Sequence, residues 1–298
     1  MAGRGLTDRP AAAALVAAAV VFGVTFVVVK DAIEDLPPFN FVGWRFLLGA
    51  IALLAIARPR GKAVWRDGII GGSLLVAGFG FQTEGLLTTG AANSGLITGL
   101  YVVLTPILAL AWNRLRGPAR INPRVLVGTA IAFAGFYLLT EGFQPEVGDL
   151  LTVGAAVAFA AHIVFLSHLA HRHDLVGFTA LQLGVTSIGA FAIAAVKEGL
   201  EVPGPEVAGA LLLTGLGASA GGFLLQIWAQ SRVGASTAAI VLALEPAFAA
   251  GTAAIVTGTT LSARGWVGAG LILAAIFVVL QATAGEPEVE KGATSPHG

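Results

Sequence analysis

The chain has 298 residues, of which 56% are hydrophobic and only 11% charged. Soluble domains carry about a quarter charged residues, so an ordinary water-soluble globule is excluded. Its 17 basic and 17 acidic residues cancel, leaving no net field to attract nucleic acid, and zero cysteines exclude disulfides, thiolate nucleophiles and thiolate metal sites.

The first apolar run, 11–29, follows Arg4 and Arg9, and its alanines resemble the small residues of a cleavable signal. Its length approaches the about 20 residues that a bilayer span needs, and similar runs follow, so it is expected to be a retained first helix. Further spans are predicted at 39–57, 68–88, 93–113, 122–140, 148–169, 175–196, 206–230, 235–257 and 262–283. Their connections are too short for a soluble domain, and the polar tail 284–298 is expected to be disordered.

With the N-terminus inside, alternate loops collect Arg4, Arg9, Arg58, Arg60, Lys62, Arg66, Arg114, Arg116, Arg120, Arg124, Arg172, Arg232 and Lys291 on the cytoplasmic side. The opposite side holds only Lys30, Lys197 and Arg264, together with acids such as Asp31, Glu34, Asp149, Glu198 and Glu201. This positive-inside bias predicts an inner-membrane protein with both termini cytoplasmic.

The chain also resembles itself. Setting Gly90 on Gly234, a shift of 144 residues, aligns GLLTTGAANSGLITGL with WAQSRVGASTAAIVLAL; earlier helices fit at 137, pairing Phe22 with Phe159. Two five-span repeats, 11–140 and 148–283, follow, and an odd span count inserts the second copy upside down. The predicted fold is thus an all-α membrane protein of ten transmembrane helices in two inverted repeats, a signature of secondary transporters. The shifts also set polar on polar: Thr25 on His162, Arg45 on Gln182, Gln82 on Gln226 and Tyr101 on Glu245. These eight residues are the candidate substrate-binding set.

The segments GFQTEGLLTTGAANSGLITGLYVVLTPILAL and FLLQIWAQSRVGASTAAIVLALEPAFAA, with FGVTF at 22–26 and WRF at 44–46, resemble the EamA family of the drug/metabolite transporter superfamily over about residues 11–283. The resemblance implies ten helices, a central cavity lined by helices 1–4 and 6–9, peripheral helices 5 and 10, and export of amino acids, other metabolites or toxic compounds. The sequence departs from it at GTTLS, 258–262, which lacks an acid, and at Pro106, one helical turn later in its repeat than Pro246.

Within the candidate set, Glu245 is placed near the midplane, about ten residues into helix 9. A carboxylate there opposes insertion by about 2.5–3.5 kcal/mol, so it either serves protons or a substrate amine or is a structural carboxyl bonded to a neighbour. Pro246 leaves a carbonyl of the preceding turn free and is the candidate hinge. Arg45 either pairs with Glu84 or binds a substrate carboxylate through its planar fork. His162 either carries protons or bonds a carbonyl. Gln82, Gln226 and Tyr101 offer uncharged hydrogen bonds, either to a solute or between helices. His168, His171 and His173 lie at the cytoplasmic interface without an acid cluster, and no metal or cofactor is expected. Trp44, Trp65, Trp112 and Trp266 fit interfacial anchors, with Trp228 less clear.

GASAG at 217–221 matches G-x-S-x-G, so a Ser219–His162 dyad in an intramembrane serine hydrolase is one alternative; a non-transporting receptor or scaffold is another. The motif lacks the strand, turn and helix of a nucleophile elbow, and glycines four apart suit helix packing. The leading expectation is a secondary transporter, not an enzyme, exporting small metabolites such as amino acids by alternating access. Its partners are the small-molecule substrate, coupled protons and the lipid bilayer, without nucleic acid; a homo-oligomer is compatible with the sequence.

Overall fold

The computed structural model describes residues 9–115, 123–139, 146–258 and 262–283. The expected disordered tail and the basic residues Arg4, Arg116, Arg120 and Lys291 lie outside them. All regular structure among the described residues is helical: α1 Arg9–Asp35, α2 Pro38–Leu54, α3 Lys62–Gly85, α4 Ala91–Thr98, α5 Tyr101–Arg114, α6 Pro123–Leu139, α7 Val147–Leu169 and α8 Leu175–Lys197. There follow α9 Ala208–Leu212, a π-helix Leu213–Gly222, α10 Phe223–Gln230, α11 Ala235–Leu242, α12 Glu245–Thr257 and α13 Ala263–Thr283.

Among the described residues, five helical stretches, counted across short interruptions, are long and apolar enough to cross a membrane: Arg9–Asp35, Ala91–Arg114, Val147–Arg172, Leu175–Lys197 and Pro205–Gln230. Among the remaining apolar helices of the described residues, α2 is shorter, with 17 residues.

The repeat seen in the sequence reappears in the backbone. α4 and α11 have eight residues each, their ranges stand 144 apart, and α5 and α12 begin at the aligned Tyr101 and Glu245. Each expected continuous helix, 93–113 and 235–257, is therefore broken, and Glu245 opens a helix instead of lying deep in one. The breaks are tightened turns. At Gly99 and Leu100, and at Ala243 and Leu244, ψ lies between −20 and −8°, and bonds such as Leu100 N–H to Ile97 O and Leu244 N–H to Val241 O span three residues. Pro246 fits the first turn of α12, where a missing N–H is tolerated. Pro106 lies inside α5, one turn beyond its break, so the breaks follow the repeat and not the prolines.

Packing obeys the same pairing. α2 packs on its equivalent α8, and α6 on its equivalent α13. The contact of α3 with α7 is mirrored by that of α10 and the π-helix with α1. α2 and α8 run antiparallel. The Glu198 carboxylate, just after α8, accepts the Phe39 and Asn40 N–H groups at the start of α2 at 3.1–3.2 Å. At the other end, Gly177 in the first turn of α8 lies so close to Arg58, beyond α2, that an added Cβ would stand 3.0 Å from its carbonyl oxygen.

The π-helix departs from the expected continuous α-helix. Its sequence, LTGLGASAGG, contains four glycines, and Gly215 lets the chain press against the backbone of Arg45 and the side chain of Leu48 on α2. Wider helical turns are uncommon and concentrate at functional positions.

Candidate functional site

One central cavity gathers most of the aligned polar residues. Thr25 on α1, Arg45 on α2, Gln82 on α3, Tyr101 on α5, His162 on α7, Gln226 on α10 and Glu245 on α12 all line it, and its free space, counted to its mouth, is about 590 Å³. Gln182 does not line it. It is fully buried on α8, where its Oε1 accepts a hydrogen from His162 Nε2 at 2.8 Å, so it orients the imidazole from behind. α8 thus contributes no wall, contrary to a lining by all of helices 1–4 and 6–9.

The repeat governs the apolar wall as well. Phe22 pairs with Phe159, and Phe79 with Phe223, at the same shifts. Phe22 meets Phe223 at 5.2 Å between centroids, Phe79 meets Phe159 at 5.0 Å and Phe223 at 5.8 Å, forming a continuous aromatic lining. Glycines let two of these rings in: a Cβ at Gly78 would stand 2.6 Å from Phe159 Cε1, and one at the equivalent Gly222 2.6 Å from Phe22 Cε1. Phe79 and Phe223 are absent from the polar candidate set, yet the 144-residue shift that aligns Gln82 with Gln226 aligns them too.

Arg45, 3% exposed, is held without an acid. Its Nε donates to Ser219 Oγ at 2.9 Å, and its guanidinium carbon lies 4.9 Å from the Phe79 centroid and 5.2 Å from that of Phe46. Cation–π attraction of this kind strengthens away from water. The anticipated Arg45–Glu84 pair does not form, because Glu84 Oε1 takes the Lys197 ammonium. Glu245, 8% exposed, accepts from the Tyr101 hydroxyl at 3.3 Å, a contact between two equivalent positions of the repeat. Arg45 and Glu245 line the same cavity but make no ion pair within 4.0 Å. The remaining polar side chains have partners within the protein: Thr25 Oγ1 donates to Phe22 O at 2.7 Å, Gln82 Nε2 to Thr98 Oγ1 at 3.1 Å, and Gln226 Nε2 to Gln230 Oε1 at 3.0 Å.

The hydrolase geometry fails at Ser219. Its hydroxyl accepts from a cation within a π-helix, and the His162 Nε2 that would take its proton is bonded to Gln182. Among the histidines at and beyond the C-terminal end of α7, His168 bonds the Val164 carbonyl at 2.8 Å, and His173 Nε2 bonds Asp67 Oδ2 at 2.9 Å. Asp67 precedes the apolar run of α3. Burial opposes its charge, but hydrogen bonds from Arg66 and His173 outweigh this and hold its carboxyl below the ordinary 3.8. Trp228 lies under the Arg232 guanidinium, 4.1 Å from centroid to carbon, away from the cavity wall.

Comparison with known proteins agrees with this two-part plan. The EamA-like transporter family matches the chain twice, over residues 9–141 and 146–281. An uncharacterized transporter of Archaeoglobus fulgidus is 32% identical over 266 residues, covering 88% of this chain and 82% of the relative. The uncharacterized inner membrane transporter YedA of Escherichia coli K12 is 32% identical over 144 residues, 45% of this chain and 44% of its own. A crystal structure with 19% identity superposes with a TM-score of 0.68 over 91% of this chain and 96% of its own, which shows a shared fold. The family and the relatives' names indicate a transporter and not an enzyme. On these matches the chain belongs to the EamA-like transporter family of the drug/metabolite transporter superfamily and is a multi-pass membrane transporter of small molecules.

Proposed function

We propose that this protein is a secondary active transporter that exports small metabolites, amino acids or related compounds, by alternating access. In this reading ten helices span the inner membrane as two inverted repeats, 11–140 and 148–283, with both termini cytoplasmic. The antiparallel packing of α2 on α8 and the self-contact of the repeat at Tyr101 and Glu245 support the inversion. The charge bias of the loops supports the orientation.

The observation that carries the substrate reading is the separation of Arg45 from Glu245. Two ionisable groups face one cavity without a direct ion pair between them, and membrane proteins rarely retain such groups without a use. A zwitterion places its carboxylate at Arg45 and its ammonium at Glu245, while the phenylalanine wall takes an apolar side chain. Gln82, Gln226 and Thr25 orient polar atoms, His162 steadied by Gln182 joins Glu245 on the proton path, and Pro246 serves as the hinge. Transport is driven by a proton gradient or by the solute gradient.

The test is reconstitution into vesicles with radiolabelled amino acids and related metabolites, with and without an imposed pH gradient. Saturable flux of at least one zwitterion is expected. No protein-dependent flux of any solute across the panel sinks the proposal.

A further inference from the structure

The cation of the first repeat is held by a contact that the second repeat lacks. The 137-residue shift sets Arg45 on Gln182, and the 144-residue shift sets Ser219 on Leu75. Arg45 Nε donates to Ser219 Oγ at 2.9 Å, whereas Leu75 has no side-chain acceptor and Gln182 bonds His162.

Two glycines bring Ser219 within reach. Gly49 lies one turn after Arg45 on α2, and a Cβ there would stand 3.1 Å from Ser219 Cβ and 3.0 Å from Gly215 O. A Cβ at Gly215 would stand 2.9 Å from Arg45 O, so α2 and the π-helix meet backbone to backbone beside the arginine. Wider turns step successive side chains through smaller angles than a regular helix does, so the π-helix also sets which of its residues faces α2. Ser219 is fully buried and does not line the cavity, so its hydroxyl serves Arg45 and not a solute.

A guanidinium has two kinds of edge that grip both oxygens of a carboxylate: Nε with one terminal nitrogen, or the two terminal nitrogens together. Ser219 takes the single Nε hydrogen and so occupies the first edge. Among the described residues neither terminal nitrogen of Arg45 has a hydrogen bond or an ion pair, and neither is sealed from free space. Arg45 forms part of the cavity wall, so the terminal pair is the edge left for a ligand.

We infer that Ser219 is the positioning residue of a carboxylate subsite. By holding Nε it fixes the torsions of Arg45 so that the two terminal nitrogens meet both oxygens of a solute carboxylate end-on. The inference rests on the reading of Arg45 as the carboxylate-binding group and adds what holds that group in place.

The test measures uptake of radiolabelled neutral amino acids into vesicles, with their decarboxylated amines as competitors, for the unaltered protein, Ser219→Ala, Arg45→Gln and the double variant. Fixing a rotamer-rich side chain in advance is worth roughly three- to tenfold in affinity, so Ser219→Ala is expected to raise the amino-acid KM by that factor. The maximal rate and the inhibition constant of the amine are expected to change less. In the Arg45→Gln background Ser219→Ala is expected to add nothing, because two residues acting through one contact are not additive. Equal shifts for amino acid and amine, or the same rise in KM with and without Arg45, assign Ser219 to packing and overturn the inference. An unchanged KM in Ser219→Ala overturns it too. If Arg45→Gln selectively weakens carboxylate solutes and Ser219→Ala does not, this inference falls alone; if the unaltered protein carries no amino acid, the substrate reading falls and takes it along.

Discussion

Over their described residues the segments 9–141 and 146–281 share a backbone plan down to the residue at which a helix breaks, yet they carry different groups into the cavity. At the three most telling pairs, Arg45 answers to Gln182, Tyr101 to Glu245, and the regular helix around 69–78 to the π-helix Leu213–Gly222. Apolar packing repeats faithfully: Gly78 receives Phe159 just as Gly222 receives Phe22. Charge is divided, with the cation in the first segment and the acid in the second. Close packing demands the same shapes in both copies, whereas a site for one asymmetric solute demands different chemistry at equivalent places.

The largest break in that comparison is at Glu245. Glu245→Gln removes the acid but keeps the size and the Tyr101 contact. Losing one partner of a desolvated charge interaction is typically about 2–5 kcal/mol, so flux in vesicles is expected to fall roughly 30-fold or more. The exchange Tyr101→Glu with Glu245→Tyr moves the acid to its equivalent position and is expected to recover part of that loss. Failure to recover any flux in a correctly inserted double variant shows that the two positions are not interchangeable.

Arg45→Gln makes the cation side match Gln182. Flux of solutes with a carboxylate is expected to drop about tenfold, one strong charge-assisted contact, while carboxylate-free amines are affected less. Arg45→Lys retains the charge without the planar fork and should fall between the two. Equal losses for both solute classes contradict a carboxylate-binding Arg45.

Gly78→Ala and Gly222→Ala test whether the packing is as symmetric as it looks. Each adds a Cβ 2.6 Å from a ring carbon, and overpacking of this kind destabilises by about 1–3 kcal/mol. The two thermal shifts in detergent are expected to agree closely. A large mismatch shows that one ring yields and the other does not.

Much of this plan was legible in the residues. Apolar runs mark helices wherever they are long, and the two shifts brought seven of eight aligned polar residues to one wall because equivalent positions near a pseudo-twofold axis meet. The π-helix was not legible, since glycine, alanine and leucine suit either helical twist and only the pressure of α2 on Gly215 distinguishes them. The outward turn of Gln182 was hidden for a similar reason: a glutamine reads alike whether it faces a cavity or holds a histidine. Glu84 was drawn to Lys197, remote in sequence, and no periodicity in either helix announces that pairing.

The smallest expected effect concerns Asp67, which stands where the second segment has Leu211. Its carboxylate ties the start of α3 to His173 beyond α7, and no equivalent clasp exists at Leu211. Asp67→Asn keeps an oxygen for His173 but loses the charge that Arg66 and His173 favour, so a loss of about 1 kcal/mol near neutral pH is expected. The sign in pH follows from a carboxyl held below its ordinary value in the folded chain. The stabilisation is fully present above the unfolded value of 3.8 and disappears as pH falls through the lower folded one. Thermal unfolding of both proteins across that acid range should therefore converge, and a difference that persists at the lowest pH would assign Asp67 a role in shape and not in charge.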